Sequence, residues 1–419
     1  MSFFRIYIYL KIIDFIKSTI FPSNLSEELN IKNNFNKITN KKNSILTSQL
    51  RVGFVLVLKY LKKKYPHKNE IIINSYNLAE MVNICKDLNL KLIFTNLNKN
   101  IFLCDQDLKK KINKKTLAVV ATNIFNSHND ILKIKKICNK KKIALVEDNA
   151  IYYGNHIKDG KKNIYTGSYG DYSLHSFNIM KNISAMFGGL VSTNNSEFIE
   201  FASAEIKSYK KFPFLKYSKQ IFIFFVLKLF SINLLYKLLF FRIIKTAHKE
   251  NIKYILNTIY PSLRFNKKNH FKTYLYKIHP LTIKMVSMQL NNDKDLSINF
   301  KTRMMNNGFY EKLFKKYKIK RLNTIEIKEK TFQNFNEFPI IVNNKNKLKN
   351  YLFDMGIETK MIQYVDCEKI FKHKVKSKSL KNYENKILCL PNHKNISKKY
   401  IVYVVKCIND FYENNKVTN

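Results

Sequence analysis

A chain of 419 residues with 45% apolar and 14% aromatic content can bury a large core, which excludes a disordered polymer. Its 75 Lys and Arg against 30 Asp and Glu give a formal net charge of +45. Such a field favours anionic partners: nucleotide diphosphates, acidic lipids or nucleic acid. The cations are spread along the chain, as at Lys62 to Lys64 and Lys140 to Lys142, and most read as solvated surface. No nucleic-acid-binding module accompanies them, so no specific nucleic acid is expected. Cys85, Cys104, Cys138, Cys367, Cys389 and Cys407 form no CxxC and stand beside no histidine at ligand spacing. Neither a disulfide framework nor a metal site is expected, and a reducing cytoplasm is the default compartment.

Residues 1–21 are apolar and aromatic but interrupted by Arg5, Lys11, Asp14 and Lys17, which is not the unbroken run of a secretory signal. Lys11, Asp14, Lys17 and Ser18 recur as on one helix face, predicting an amphipathic helix docked on the protein or on a membrane surface. From about 45 to 195 helical and strand patterns alternate. Helices are expected at 51–63, 78–88 and 129–140, and strands at 71–75, 91–95, 116–122, 142–147, 171–176 and 189–193. That alternation predicts an α/β layered sheet, whose ligands gather at the carboxyl ends of its strands.

The pattern then breaks. Residues 221–244 are apolar except for Lys228, Ser231, Asn233, Lys237 and Arg242. Cations in mid-segment disfavour a true span; a membrane-surface or re-entrant hairpin and a buried or subunit-interface helix fit equally. Residues 281–317 read as a long helix interrupted near Asn307-Gly308. Beyond it, strands at 338–342 and 387–390 and helices at 345–355 and 397–412 outline a small α+β domain. The expected organisation is an N-terminal helix and arm (1–40), a large α/β domain (41–206), a hydrophobic helical insertion (207–270), and a long helix with the small domain (271–419).

Residues 144–193 carry the informative motifs. Val146-Glu147-Asp148-Asn149-Ala150 stands at a strand end, followed by Gly154 and by Gly167-Ser168-Tyr169-Gly170-Asp171. Next come His175-Ser176-Phe177-Asn178-Ile179-Met180-Lys181-Asn182 and Gly188-Gly189-Leu190-Val191-Ser192-Thr193. In order and spacing this set resembles the DegT/DnrJ/StrS family of sugar aminotransferases. The family pattern runs E-D-x-A, G-S-x-G-D, S-F-x-x-x-K-N and G-G-x-[VI]-x-T. The resemblance extends to Ile72-Ile73-Asn74-Ser75-Tyr76, to Phe338-Pro339-Ile340-Ile341-Val342, to Met355-Gly356-Ile357 and to Leu390-Pro391-Asn392-His393. It covers roughly 40–415 apart from an unmatched insertion near 207–270.

The resemblance implies a fold-type I pyridoxal-phosphate transferase: a mixed, mostly parallel seven-stranded sheet flanked by helices, plus a small C-terminal α+β domain. It implies pyridoxal 5'-phosphate as cofactor, with Asp148 holding the pyridine nitrogen protonated and Lys181 making the covalent link and moving protons. Ser176, Leu50 and Arg51 would surround the phosphate. It further implies a homodimer, an amino-acid donor such as glutamate, and a nucleotide-linked keto-sugar destined for polysaccharide or glycoconjugate synthesis. In dehydrating relatives a histidine replaces the lysine, so Lys181 favours transamination.

This chain departs from the pattern at four places. Ile151 stands where the family has glutamine, Leu78 where an aromatic ring stacks on the cofactor, and Leu50 where a phosphate-loop glycine is usual. Thr273-Tyr274-Leu275-Tyr276-Lys277 replaces a partner-subunit loop whose asparagine becomes Leu275. Two other readings therefore stand beside the enzyme: a degenerate, non-catalytic binding protein of the same fold, and a basic peripheral membrane protein. Taken singly, Lys181 reads as one more surface lysine and Asp148 as a helix cap. Strand alternation turns His175 away from Ser176, so it, like His156, His279 and His393, reads as a packing residue. Gly167 to Asp171 reads as a turn setting up the next strand.

Overall fold

The computed structural model describes residues 3–21, 23–98, 101–125, 130–151, 153–250, 252, 254, 270–319, 322–324, 331–332, 337–359, 364–373 and 383–414. The strands up to residue 193 are β1 (Asn43–Thr47), β2 (Glu70–Asn74), β3 (Tyr76–Asn77), β4 (Lys91–Thr95), β5 (Thr116–Thr122), β6 (Ala144–Asp148), β7 (His156–Asp159), β8 (Lys162–Tyr165), β9 (Tyr172–Ser176) and β10 (Gly189–Thr193). Seven of them form one sheet in the order β1-β10-β9-β6-β5-β2-β4. The β9-β6-β5-β2-β4 run is parallel, whereas β10 lies antiparallel to both neighbours. Ile71, Ile72 and Ile73 are all fully buried because helices cover both faces of the sheet. Ile73, Val120 and Val146 face one helical layer that includes Val55 and Leu58, while Ile72, Val119 and Leu145 face Ile131 and Ile134.

The first helices are α1 (Ile12–Ile20), α2 (Leu25–Thr39) and α3 (Leu50–Lys64). The N-terminal helix is shorter than the sequence suggests. Upstream of it Phe4, Ile6, Ile8 and Leu10 alternate and are buried, which is the period of extended chain, and helix begins only after Lys11. α2 opens with a capping box between Asn24 and Glu27. The expected helix at 129–140 spans Ile131–Lys141, and Asn129 itself lies outside the described residues.

The apolar insertion forms two helical segments, Phe214–Phe230 and Asn233–Lys249, bent by 82° at their junction; no single helix is long and apolar enough to cross a membrane among the described residues. Their inward stripe, Tyr217, Phe224, Leu227 and Phe230, packs on the N-terminal arm. Lys228, one of the interrupting cations, donates to the Ile8 carbonyl at 2.7 Å, and burial lowers its pKa to about 8. Arg5 forms a buried ion pair with Glu358, which also accepts from the Tyr236 hydroxyl at 2.7 Å.

The long helix does not break at Gly308. It is divided into Pro280–Leu290 and Asp293–Tyr317 by Asn291 and Asn292, and the Asn292 side chain caps the second segment through the Asp295 N–H. Asparagine competes for backbone hydrogen bonds and starts helices, whereas a lone glycine only weakens one. In the small domain, strands Leu322–Thr324, Phe338–Val342 and Ile387–Leu390 form an antiparallel sheet. The Lys345–Asp354 and Lys398–Asn414 helices back it.

Candidate active site

The carboxyl ends of the parallel strands share one edge of the sheet. Asn74, Thr122, Asp148 and Ser176 close β2, β5, β6 and β9 there, and Gly189 opens β10 opposite Ser176. Ligands bind at this edge in open α/β sheets because helix N-termini and loop backbone converge on it.

Asp148 is the central group. It is 1% exposed, one carboxylate oxygen accepts from the Ala150 N–H at 3.1 Å, and no described residue donates to the other. Burial pushes its pKa up to about 6, while the Ala150 N–H and the nearby Lys181 charge pull against that rise. Lys181 sits half-buried in a turn whose N–H donates to the Asn178 carbonyl at 2.8 Å. The turn is pinned from behind by Asn182, which donates to the Ile151 carbonyl and accepts from Arg303 at 2.8 Å. Arg303 is 1% exposed and lies between the rings of Tyr9 and Phe300.

The other end of the site is the N-terminus of α3. Gly188, at φ 125°, turns the chain into β10, and a side chain at Gly189 would collide with the backbone of Gln49 and Leu50. That contact brings the first turn of α3, with its positive dipole end, beside Ser176. Ser48 lies just before the helix, and its buried hydroxyl has no hydrogen-bond partner among the described residues. Leu50 contributes backbone only, since its side chain belongs to the core. Arg51 is in the first turn, donating to Gln49 Oε1 at 2.8 Å, with its guanidinium 4.7 Å from the Tyr274 ring. Tyr274 belongs to the segment that the resemblance assigns to a second subunit; here it packs beside Arg51 of its own chain.

Some of the surroundings escaped the sequence reading. Asn77 donates to Thr122 at 2.9 Å and Asn123 to Asn149 at 2.5 Å, joining the strand ends by side-chain bonds. A two-residue strand, Val365–Asp366, pairs with β3 and carries Tyr364 to the Tyr76 ring at 5.9 Å. Burial, and next the Asp148 charge, hold the Tyr364 pKa well above the ordinary tyrosine value. No local signal announces a pairing across nearly three hundred residues.

The histidines are packing groups. His175 is buried, bonds the Ser173 hydroxyl at 2.8 Å, and is held neutral by burial at a pKa of about 3. His156 stacks on Phe332, His279 on Tyr217, and His393 bonds the Phe4 carbonyl at 2.8 Å. The Gly167 to Asp171 stretch is a turn whose Gly167 and Gly170 N–H groups are taken up by buried Glu147. No cluster of metal-ligating side chains occurs among the described residues. A cavity of about 490 Å³ lies at the opposite edge, beside the starts of β5, β6 and β9. The C-terminal ends of α3 and the Ile131–Lys141 helix point into it with their negative dipoles, which its lysines offset.

The residue set fits pyridoxal phosphate on this geometry. A buried carboxylate has a free acceptor, an amine lies close by, and an unpartnered hydroxyl stands at a helix N-terminus built for a phosphate. Leu78, Ile151 and Leu275 withhold a stacking ring and two side-chain hydrogen bonds, and the Leu78 and Leu275 side chains pack against the core.

Comparisons with known proteins agree with the motif order. A family model described as the DegT/DnrJ/EryC1/StrS aminotransferase family matches residues 12–213. A GDP-perosamine synthase of Vibrio cholerae is 31% identical over 133 residues, 32% of this chain and 35% of that protein. A GDP-4-keto-6-deoxy-D-mannose 3-dehydratase of Yersinia pseudotuberculosis is 30% identical over 137 residues, 32% of this chain and 34% of that protein. These matches span only about a third of the curated relatives' length. The solved structure of PseC, an aminotransferase of pseudoaminic acid biosynthesis from Helicobacter pylori, superposes with a TM-score of 0.74 over 99% of this chain and 100% of that one, at 15% identity. DesI, solved with its TDP-sugar product, gives 0.71 over 100% and 96% at 12% identity. The two solved structures share the fold.

Proposed function

We propose, from the match of residues 12–213 to the DegT/DnrJ/EryC1/StrS aminotransferase family, that this chain moves an amino group from an amino acid to a nucleotide-linked keto-sugar. The cofactor is pyridoxal 5'-phosphate, the donor glutamate, the working form a homodimer, and the product a precursor of surface polysaccharide or glycoconjugate. One observation carries the reading: Asp148, buried at the carboxyl edge of the sheet, feels the Lys181 charge, beside a helix N-terminus with an unpaired serine hydroxyl.

When bound, the cofactor supplies an electron sink for the bond-breaking step. Asp148 would hold a protonated ring nitrogen through the carboxylate oxygen left free by the Ala150 N–H. The first turn of α3, with Ser48 and Ser176, would hold the phosphate. Lys181 Nζ would hold and move the proton at the substrate carbon, and Asn182 with Arg303 keeps the turn that carries it in place. Tyr364, held neutral, helps to exclude water from the edge. The curated relatives include a dehydratase, but a lysine at 181 favours amino transfer.

The test is to purify the full chain with pyridoxal phosphate and record its visible spectrum, then add glutamate and keto forms of UDP-, GDP- and TDP-sugars. An absorption band that disappears in Lys181→Ala, together with amino-sugar formation, is expected. A colourless wild type under saturating cofactor would instead support the degenerate binding protein, for which Leu78, Ile151 and Leu275 speak.

A further inference from the structure

The bent helical pair leaves a face uncovered that is both apolar and cationic. On the Phe214–Phe230 helix, Leu215, Phe222 and Leu229 recur every seven residues, two turns apart, and are 82%, 65% and 47% exposed. Beyond the bend, Leu234 and Leu239 are 66% and 54% exposed. The face continues onto α1. The ring of Phe15 meets those of Phe224 and Phe225 at 5.3 and 5.2 Å, and Ile16 and Ile20 on the outer side of α1 are 43% and 63% exposed. Large apolar side chains exposed contiguously mark a contact surface.

The charges identify what it contacts. Residues 214–249 contain seven Lys or Arg and no Asp or Glu. Lys228 is turned inward to the Ile8 carbonyl, but Lys219, Lys237, Arg242 and Lys249 are exposed among the apolar residues. A second copy of the chain docked on the same face would set these cations against their own equivalents. An anionic lipid surface offers the complementary charge and an apolar layer beneath it, and the 82° bend prevents the two segments from forming one straight span.

We propose that α1 and the bent pair lay this face on an anionic bilayer surface, with Phe222, Leu229 and Leu239 in the acyl boundary and the lysines at the headgroups. The inference stands apart from the catalytic reading, because none of these residues belongs to the site. The test uses the full chain and sedimentation with vesicles of phosphatidylcholine alone or mixed with phosphatidylglycerol. Binding is expected only with phosphatidylglycerol and is expected to weaken as salt is raised. Phe222→Ser with Leu229→Ser should reduce it at least tenfold. Lys219→Glu with Lys237→Glu should do so by roughly fivefold per lysine. Both substitutions alter exposed residues and should leave the melting temperature unchanged, which separates lost docking from lost folding. Three results would overturn the proposal: no sedimentation of the wild type with either vesicle, equal sedimentation of the wild type and the Phe222/Leu229 variant, or a lipid-free assembly that the same variant breaks apart.

Discussion

Replacing Asp148 with asparagine should stabilise the cofactor-free protein while destroying its response to cofactor. The Asp148 carboxyl rises from 3.8 to about 6 on folding, chiefly because burial disfavours its charge. A rise of about 2 units corresponds to about 3 kcal/mol of differential interaction, an upper limit for the penalty of holding that charge inside. The sign follows from linkage. Below the unfolded value of 3.8 the group is protonated in both states and costs nothing. Between 3.8 and about 6 the penalty grows as pH rises, and above about 6 it is complete. Urea denaturation of cofactor-free wild type and Asp148→Asn from pH 4.5 to 8 reads this directly, because their difference cancels the other titrating groups. The asparagine variant should gain over the wild type up to pH 6 and hold a constant margin above it. Added pyridoxal phosphate should then stabilise the wild type and leave the variant unmoved. A margin independent of pH, or a wild type more stable throughout, would refute the account of Asp148 as a strained charge awaiting a cation.

Three further outcomes follow from the packing. Gly189→Ala should lower stability by about 1–3 kcal/mol by thermal melting, since its methyl meets the backbone of Gln49 and Leu50. It should also weaken cofactor binding in a fluorescence titration by shifting the start of α3. Arg303→Met keeps the volume between Tyr9 and Phe300 but removes the donor to Asn182. Amino transfer should fall at unchanged or modestly altered stability, and a variant with full turnover would remove Arg303 from its positioning role. Arg5→Met removes the buried cation opposite Glu358 while keeping the residue-5 N–H and the Tyr236 hydroxyl as donors, and should cost about 3–5 kcal/mol in chemical denaturation. The companion Glu358→Gln should soften that loss.

Much of the large domain was legible because its strands are short β-branched runs between clear turn residues; 91–95, 116–122 and 189–193 coincide with β4, β5 and β10. The motif order likewise names Asp148, Ser176 and Lys181, and the fold sets Asp148 and Ser176 at the ends of β6 and β9. What escaped depends on contacts distant in sequence. β1 is a five-residue strand with no pattern of its own and is defined by pairing with β10. Tyr364 reaches the edge only through the pairing of Val365–Asp366 with β3. The arm before α1 was obscured because two periods abut: alternation through Leu10, then helical spacing from Lys11. The helix break fell at an asparagine pair instead of Gly308 because side-chain capping competes more strongly than an absent Cβ.

The arm has a consequence for the order in which the molecule can be assembled. Its first residues leave the ribosome early, yet Arg5 waits for Glu358, and the Phe4 carbonyl for His393. Until those late residues arrive, the guanidinium remains in water and the aromatic insertion lacks one of its walls. Closure of the N-terminal region therefore waits until Glu358 and His393 have been made, with a long loop to close, and until then the chain presents an apolar surface to chaperones.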